Sequence, residues 1–364
     1  MILVLYIIIT LYCLAIVALI YGFTKVNSFD YLGLKPKTKF SIVVPFRNEA
    51  ENLPNLLDSF SKLNYPNDLF EVILVDDCSS EEFKVQSLKF KVSVIKNIRT
   101  SNSPKKDAIT TAIQSRNNDW IITTDADCVV NKNWLLAIDN YIQLHKVLMI
   151  AGAVSYECED SFLHHFQQLD LASLQGATIG SFGLKKGFMC NGANFAYTKS
   201  FFQELNGFEG NDTIASGDDV FLLQKAIAHF PEKVHYLKSQ DTIVITKPMN
   251  DWKSLFYQRV RWASKTGSYQ SGFGKGLGLV VFGGNLGFLF IIYNLLFWEG
   301  DFYLLVFLLL AKLIVDFFLI HKTNVFLKNK THFYLISSLL YPFFSVSVAL
   351  YSLAGKYEWK GRRF

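Results

Sequence analysis

An α/β domain with a mostly parallel sheet, flanked by membrane-spanning helices, is the fold class this sequence predicts. Three observations predict it. Short apolar runs alternate with helical stretches through the middle of the 364-residue chain, two of those runs end in paired aspartates, and both ends carry long, nearly uncharged apolar stretches. Sites in such sheets lie beyond the carboxyl ends of the strands, so the paired aspartates are expected to open into one crevice.

The ends come first, because 51% hydrophobic content and 33 phenylalanines exceed what a purely soluble domain carries. Residues 1–23 contain no charged side chain and match the roughly 20 residues a helix needs to cross the hydrocarbon core. A cleaved signal peptide would have a basic start, a shorter apolar core and a small-residue cleavage site, none of which is present. Three further apolar stretches cover 277–298, 302–320 and 333–354. The predicted organisation is an N-terminal span (1–23), a domain over 24–270 that includes an interfacial helix at about 250–264, a membrane region over 277–354 and a basic tail over 355–364.

Basic residues near the span ends set the expected orientation. Lys25, Lys35, Lys37 and Lys39 place the middle domain in the cytosol of an integral protein of the cell inner membrane. Glu299, Gly300 and Asp301 form an outer loop, whereas His321, Lys322, Lys328, Lys330 and His332 form an inner one. A full span over 333–354 would carry Lys356, Lys360, Arg362 and Arg363 to the outside, and Pro342 lies near its middle. A broken, re-entrant or interfacial segment is therefore expected there. The net charge of +5 gathers at these borders, which fits attraction to a lipid surface and excludes nucleic acid as a partner. Cys13, Cys78, Cys128, Cys158 and Cys190 show no CxxC spacing, so neither a zinc site nor a disulfide framework is expected.

Within the middle domain, FSIVVP (40–45), EVILVDD (71–77), VSVIK (92–96) and WIITTDAD (120–127) predict strands, with helices over 48–63 and 105–117. Asp76 and Asp77 follow one strand, Asp125 and Asp127 another. Either pair alone is equally what the cap of a following helix requires, whereas two pairs in one sheet point to a site. Asp125-Ala126-Asp127 is a DxD, and carboxylates on a strand-ending turn can present oxygens to Mg²⁺ or Mn²⁺ together with substrate phosphate. Asp218 and Asp219 open an apolar-periodic helix. They suit the helix dipole, and one of them suits a general base within reach of an attacking hydroxyl. Gln258, Arg261 and Trp262 share one face of a helix just before the membrane. Arginine pairs with phosphate and tryptophan offers a flat surface, although a juxtamembrane belt uses the same residues.

Taken in order, IVVPFRNEAENL, VDDCSS, SPKKDA, DAD, CNGANFAY, SGDDVFL and QRVRW resemble the family 2 glycosyltransferases of the GT-A fold, especially membrane-bound members such as ceramide glucosyltransferases and polysaccharide synthases. The resemblance runs from about Ser41 to Trp262. It implies that Pro45, Arg47, Glu49 and Asp77 surround the nucleotide, and that Lys106, with Lys105 beside it, faces the nucleotide from its loop. It also implies that Asp125 and Asp127 hold a metal-diphosphate and that Asp219 is the catalytic base with Asp218 next to it. Asn191, Gly192 and Asn194 would line the acceptor side, and Gln258, Arg261 and Trp262 would hold the diphosphate and the acceptor end. Trp359-Lys360-Gly361-Arg362 resembles a short ending of membrane-bound relatives.

Two features depart from the family's pattern. Relatives often carry Glu-Asp where this chain has Asp218-Asp219, and the membrane part is short for a polymer channel. The expectation is an inverting transferase that moves a hexose from a nucleotide-diphosphate-sugar to a membrane-associated lipid acceptor. Asp219 takes the acceptor proton while the metal and Arg261 stabilise the departing diphosphate. A processive polysaccharide synthase and a non-catalytic membrane subunit that retains the fold are the alternatives.

Overall fold

The computed structural model describes residues 2–85, 88–115, 118–211, 214, 216–297, 301–353, 358–359 and 362–363. The chain opens with α1 (Ile2–Lys25) and continues through β1 (Phe40–Phe46), α2 (Leu53–Ser61), β2 (Phe70–Asp76), β3 (Lys91–Lys96), α3 (Pro104–Gln114), β4 (Trp120–Thr123) and α4 (Trp134–Leu144). Then come β5 (Met149–Gly152), β6 (Val154–Tyr156), α5 (Phe162–Gly183), β7 (Phe195–Thr198), α6 (Lys199–Glu204), α7 (Asp218–His229), β8 (Val234–Leu237) and β9 (Val244–Thr246). The helices α8 (Trp252–Ser264), α9 (Gly272–Phe297), α10 (Phe302–Leu327) and α11 (Tyr334–Leu353) follow.

These elements fall into two compact units, Asn27–Glu157 with Met189–Lys247, and Met1–Val26 with Cys158–Phe188 and Pro248–Phe364. The first unit holds a sheet in the order β3-β2-β1-β4-β7-β5-β8. Its pairings are parallel except for the two that β7 makes with β4 and β5. The apolar runs of β1 and β2 are buried along most of their length, as strands covered on both faces require. Phe60 stacks on Trp134 below them with ring centroids 6.2 Å apart.

The predicted helix over 48–63 starts later, at Leu53. Asn48 takes a left-handed backbone, φ 54°, and its amide and side chain bond Ser79 and Ser80 of the loop after β2 at 2.9 Å each. The loops after β1 and β2 are thereby tied together where a site would open. The helix predicted over 105–117 begins at Pro104, whose fixed φ suits a first helical turn. Asn117 lies outside the described residues.

The second unit contains four helices long and apolar enough to cross a membrane, Leu3–Lys25, α9, α10 and α11. The break expected near Pro342 is absent, because α11 runs unbroken from Tyr334 to Leu353 with that proline inside it. Trp298, Glu299, Gly300, Ala354, Gly355, Lys356, Lys360 and Gly361 lie outside the described residues, and with them the short outer loop and most of the tail. A short ladder pairs Glu358 with Arg363 and Trp359 with Arg362.

Residues 158–188 and 248–264, which lie within the predicted 24–270 domain, group with the apolar helices. For α5 the grouping includes a close contact with α1. A Cβ on Gly180 would collide with the Leu19 carbonyl oxygen, and one on Gly183 with that of Gly22. Small residues let two backbones approach this way. Gly180→Leu is expected to part α1 from α5 and to destabilise the protein by about 1–3 kcal/mol, read as a lower unfolding temperature in detergent.

Candidate active site

The sheet unit gathers the acidic motifs at the carboxyl ends of β1, β2 and β4. On the β2 side, Asp76 accepts from the amide and hydroxyl of Ser79 at 2.9 and 2.5 Å, which makes it a turn residue. Asp77 is buried and accepts from Asn97 at 2.7 Å and Arg99 at 3.4 Å. The Arg47 guanidinium donates to the Asp77 carbonyl at 3.3 Å, and Glu49 accepts from Asn52 at 2.6 Å. Pro45 lies half-buried near the end of β1. These four predicted nucleotide residues therefore stand on two adjoining strand ends. Arg99 joins them to Asp107 at 3.2 Å. Burial pushes the Asp107 carboxyl up, but donors from Ser101 and Thr100 outweigh it and hold it below the usual carboxylate range.

On the β4 side, Lys105 is the hub. Its Nζ lies 2.7 Å from Asp125 Oδ1 and 3.6 Å from Asp218 Oδ2. Burial pulls its ammonium down, while Asp125, then Asp218 and Asp219, outweigh that and hold it above the ordinary lysine value. Asp219 is held by two backbone amides, Gly192 N to Oδ2 at 2.8 Å and Val220 N to Oδ1 at 2.7 Å. The Gly192 carbonyl in turn accepts from Thr123 Oγ1 of β4 at 2.7 Å. A Cβ on Gly192 would sit 3.1 Å from Asp218 Oδ2 and 3.2 Å from Lys105 Nζ, so a side chain there would press into the cluster. Thus Asp125, Asp218, Asp219 and Gly192 meet around Lys105, although their motifs are far apart in the chain.

Three expected positions sit differently. Lys106 points away from the cluster. It is 2% exposed, and its Nζ donates to the carbonyls of Asn211 and Ile214 at 2.5 and 2.9 Å, anchoring the loop that leads into Asp218. One step along a helix turns a side chain by about 100°, which is why the neighbouring lysine reaches Asp125 instead. Asn194 is buried. Its amide donates to the carbonyls of Ala153 and Thr242, each at 2.7 Å, and accepts from Trp134 Nε1 at 3.2 Å. Asn194→Ala is expected to cost about 2–4 kcal/mol of stability, because two buried carbonyls lose their donors, with no selective change in acceptor KM. Asn191 closes its own turn, its side chain accepting from Ala193 N at 3.0 Å.

Gln258, Arg261 and Trp262 belong to the other unit, on α8. The arginine that is buried there is Arg259. Its Nε pairs with Asp170 Oδ2 at 2.5 Å, its guanidinium lies 4.2 Å from the centre of the Trp262 ring, and Gln258 accepts from it.

The DxD carboxylates fit a divalent cation that arrives with its ligand. Among the described residues no three His, Cys, Asp or Glu side chains gather into a ready-made cage, and Mg²⁺ is typically held by one or two carboxylates plus substrate phosphates. Asp125, 41% exposed at its side chain, and Asp127, half-buried, supply that number of hard oxygens.

Residues 41–205 match glycosyl transferase family 2, and the chain has a GT-A-like fold. It is similar to the poly(ribitol-phosphate) beta-N-acetylglucosaminyltransferase TarS of Staphylococcus aureus, 27% identical over 110 residues, 29% of this chain and 19% of that one. It is also similar to the probable glycosyltransferase YdaM of Bacillus subtilis, 25% identical over 246 residues, 64% of this chain and 56% of that one. The chain thus spans about a fifth of the first relative and just over half of the second. Among solved structures, the mannosyltransferase PcManGT of Pyrobaculum calidifontis, in complex with GDP-Man and Mn²⁺, aligns with a TM-score of 0.52 at 14% identity over 96% of this chain and 97% of that one.

Proposed function

We propose that this chain is a membrane-bound inverting glycosyltransferase that moves a hexose from a nucleotide-diphosphate-sugar to a membrane-associated lipid acceptor. The observation that carries the reading is the meeting of the DxD with the second acidic motif, Lys105 lying between Asp125 and Asp218 while Asp219 is fixed on Gly192. That meeting supports reading the two motifs as the donor half and the acceptor half of one site.

The residues divide the work by their chemistry. Pro45, Arg47, Glu49 and Asp77 take the nucleoside. Asp219, oriented by its two amides, accepts the proton of the acceptor hydroxyl as that oxygen bonds the anomeric carbon. The bond from the anomeric carbon to the diphosphate breaks in the same displacement, and the Lys105 ammonium stands beside the charge that departs. Asp125, Asp127, Asp218 and Asp219 outnumber Lys105, so a diphosphate entering alone meets repulsion. Mg²⁺ or Mn²⁺ held by Asp125 and Asp127 would supply the missing positive charge as a Lewis acid. The neighbour from Pyrobaculum calidifontis carries a donor and a cation of this class.

The four long apolar helices support anchorage in a membrane, with the sheet unit on the cytosolic side. The test is a panel of nucleotide-sugars given to the full chain with total membrane lipid, the products being read by mass spectrometry. A discrete new glycolipid, dependent on Mg²⁺ or Mn²⁺, is expected. A polymer ladder would point to a processive synthase, and no transfer from any donor would remove the proposal.

A further inference from the structure

A second feature of the sheet unit borders the site described above. A cleft of about 680 Å³ lies between α2, the segment 127–132 and β9, within the size range of small-ligand sites. Asp127 belongs both to its wall and to the DxD, so whatever fills the cleft lies at the edge of the acidic cluster.

The wall is charged but balanced. Lys62, Lys132 and Lys247 face Asp58, Asp127 and Glu157. Two of the lysines are already engaged, Lys62 with Asp58 at 2.5 Å and Lys247 with Asn52 at 2.8 Å. A free phosphate would have to break those bonds and stand against three carboxylates. Between the charges lie the amide of Asn55, which can both donate and accept, and the NH2 of Asn131, whose oxygen already accepts from Asn133 N at 2.9 Å, while the Asn52 amide is bonded to Glu49 and Lys247. Val129, Val130 and Ile245 add an apolar strip. Amide groups that donate and accept, balanced charges and an apolar strip suit a sugar ring, whose hydroxyls do both and whose C–H face is apolar.

We propose that this cleft binds a neutral carbohydrate, the sugar part of the acceptor, so that the chain extends an existing glycan instead of glycosylating a bare lipid headgroup. The inference rests on the transferase reading given above. Its test uses the full chain in a detergent without sugar groups, with methyl β-glucoside, methyl β-galactoside, cellobiose and lactose as probes and saturation-transfer NMR as readout. At least one probe is expected to bind. Asn55→Trp, which fills the cleft, is expected to abolish that signal. Asn131→Ala, at an exposed position, is expected to weaken it about three- to tenfold through the lost hydrogen bond. Should Asn55→Trp fail to fold, the Asn131→Ala affinity decides. Absence of binding by the wild type, unchanged affinity in the folded variants, or displacement of the saccharide by inorganic phosphate would each overturn the inference. Transfer measured on the same wild-type protein separates the two readings. Transfer without saccharide binding sinks this inference alone, and saccharide binding without transfer from any donor sinks the transferase reading and the acceptor role while leaving the cleft a saccharide site.

Discussion

Asp219→Asn is expected to lower sugar transfer by about 10²–10⁴-fold, the range that a positioned general base contributes. The geometry sharpens the expectation. Asp219 uses one oxygen on Gly192 N and the other on Val220 N, so the carboxylate is aimed by backbone that cannot swing away. An asparagine keeps one acceptor oxygen and turns the other into a donor facing an N–H, which costs about 1–3 kcal/mol of local stability. That structural loss has its own readout, a lower unfolding temperature. The catalytic loss is expected as a fall in kcat with donor affinity largely retained, because the contacts proposed for the donor lie at the ends of β1 and β2 and on the DxD turn. Asp218→Asn is the matched control. Asp218 touches Lys105 at 3.6 Å and is expected to give the smaller rate loss of the two. Equal rates for wild type and Asp219→Asn would take the proton-acceptor role away from Asp219.

Strand ends were the most legible part of the site. FSIVVP, EVILVDD and WIITTDAD are short apolar runs that stop at carboxylates, and a parallel sheet puts such ends on one edge. Asp77 and Asp125 therefore stand where the pattern placed them, after β2 and β4. Rotation within a helix was not legible. SPKKDA offers two lysines, and only the placement of α3 beside the Asn211 and Ile214 carbonyls decides that Lys106 anchors backbone while Lys105 meets Asp125. The three bonds of Asn194 to buried partners were not legible for a related reason, since they depend on how β7 packs against Ala153, Thr242 and Trp134. The helix α5 carries no periodic signal strong enough to separate it from the domain around it, because polar Gln167, Gln168, Asp170 and Gln175 are buried along it.

Arg259→Ala is expected to destabilise the membrane-helix unit by about 3–5 kcal/mol, as does removal of one partner from a buried ion pair. Arg259 is 5% exposed and Asp170 equally so, and their 2.5 Å contact joins α8 to α5. Taking away the guanidinium leaves the Asp170 carboxylate in a site that excludes water, and also strips the cation from the Trp262 face. The QRVRW motif alone favours Arg261, because Gln258, Arg261 and Trp262 share a helix face. The packing instead buries Leu255, Arg259 and Val260, which places Arg259 inside. Asp170→Ala is expected to match Arg259→Ala in unfolding temperature. The double variant Arg259→Met with Asp170→Leu, which removes both charges and keeps the volume, is expected to recover most of the loss. Recovery is the informative outcome, since a purely structural pair can be replaced by apolar packing whereas an arginine that binds phosphate cannot. An Arg259→Ala protein with a wild-type unfolding temperature but lost nucleotide-sugar affinity would move Arg259 from scaffold to ligand contact.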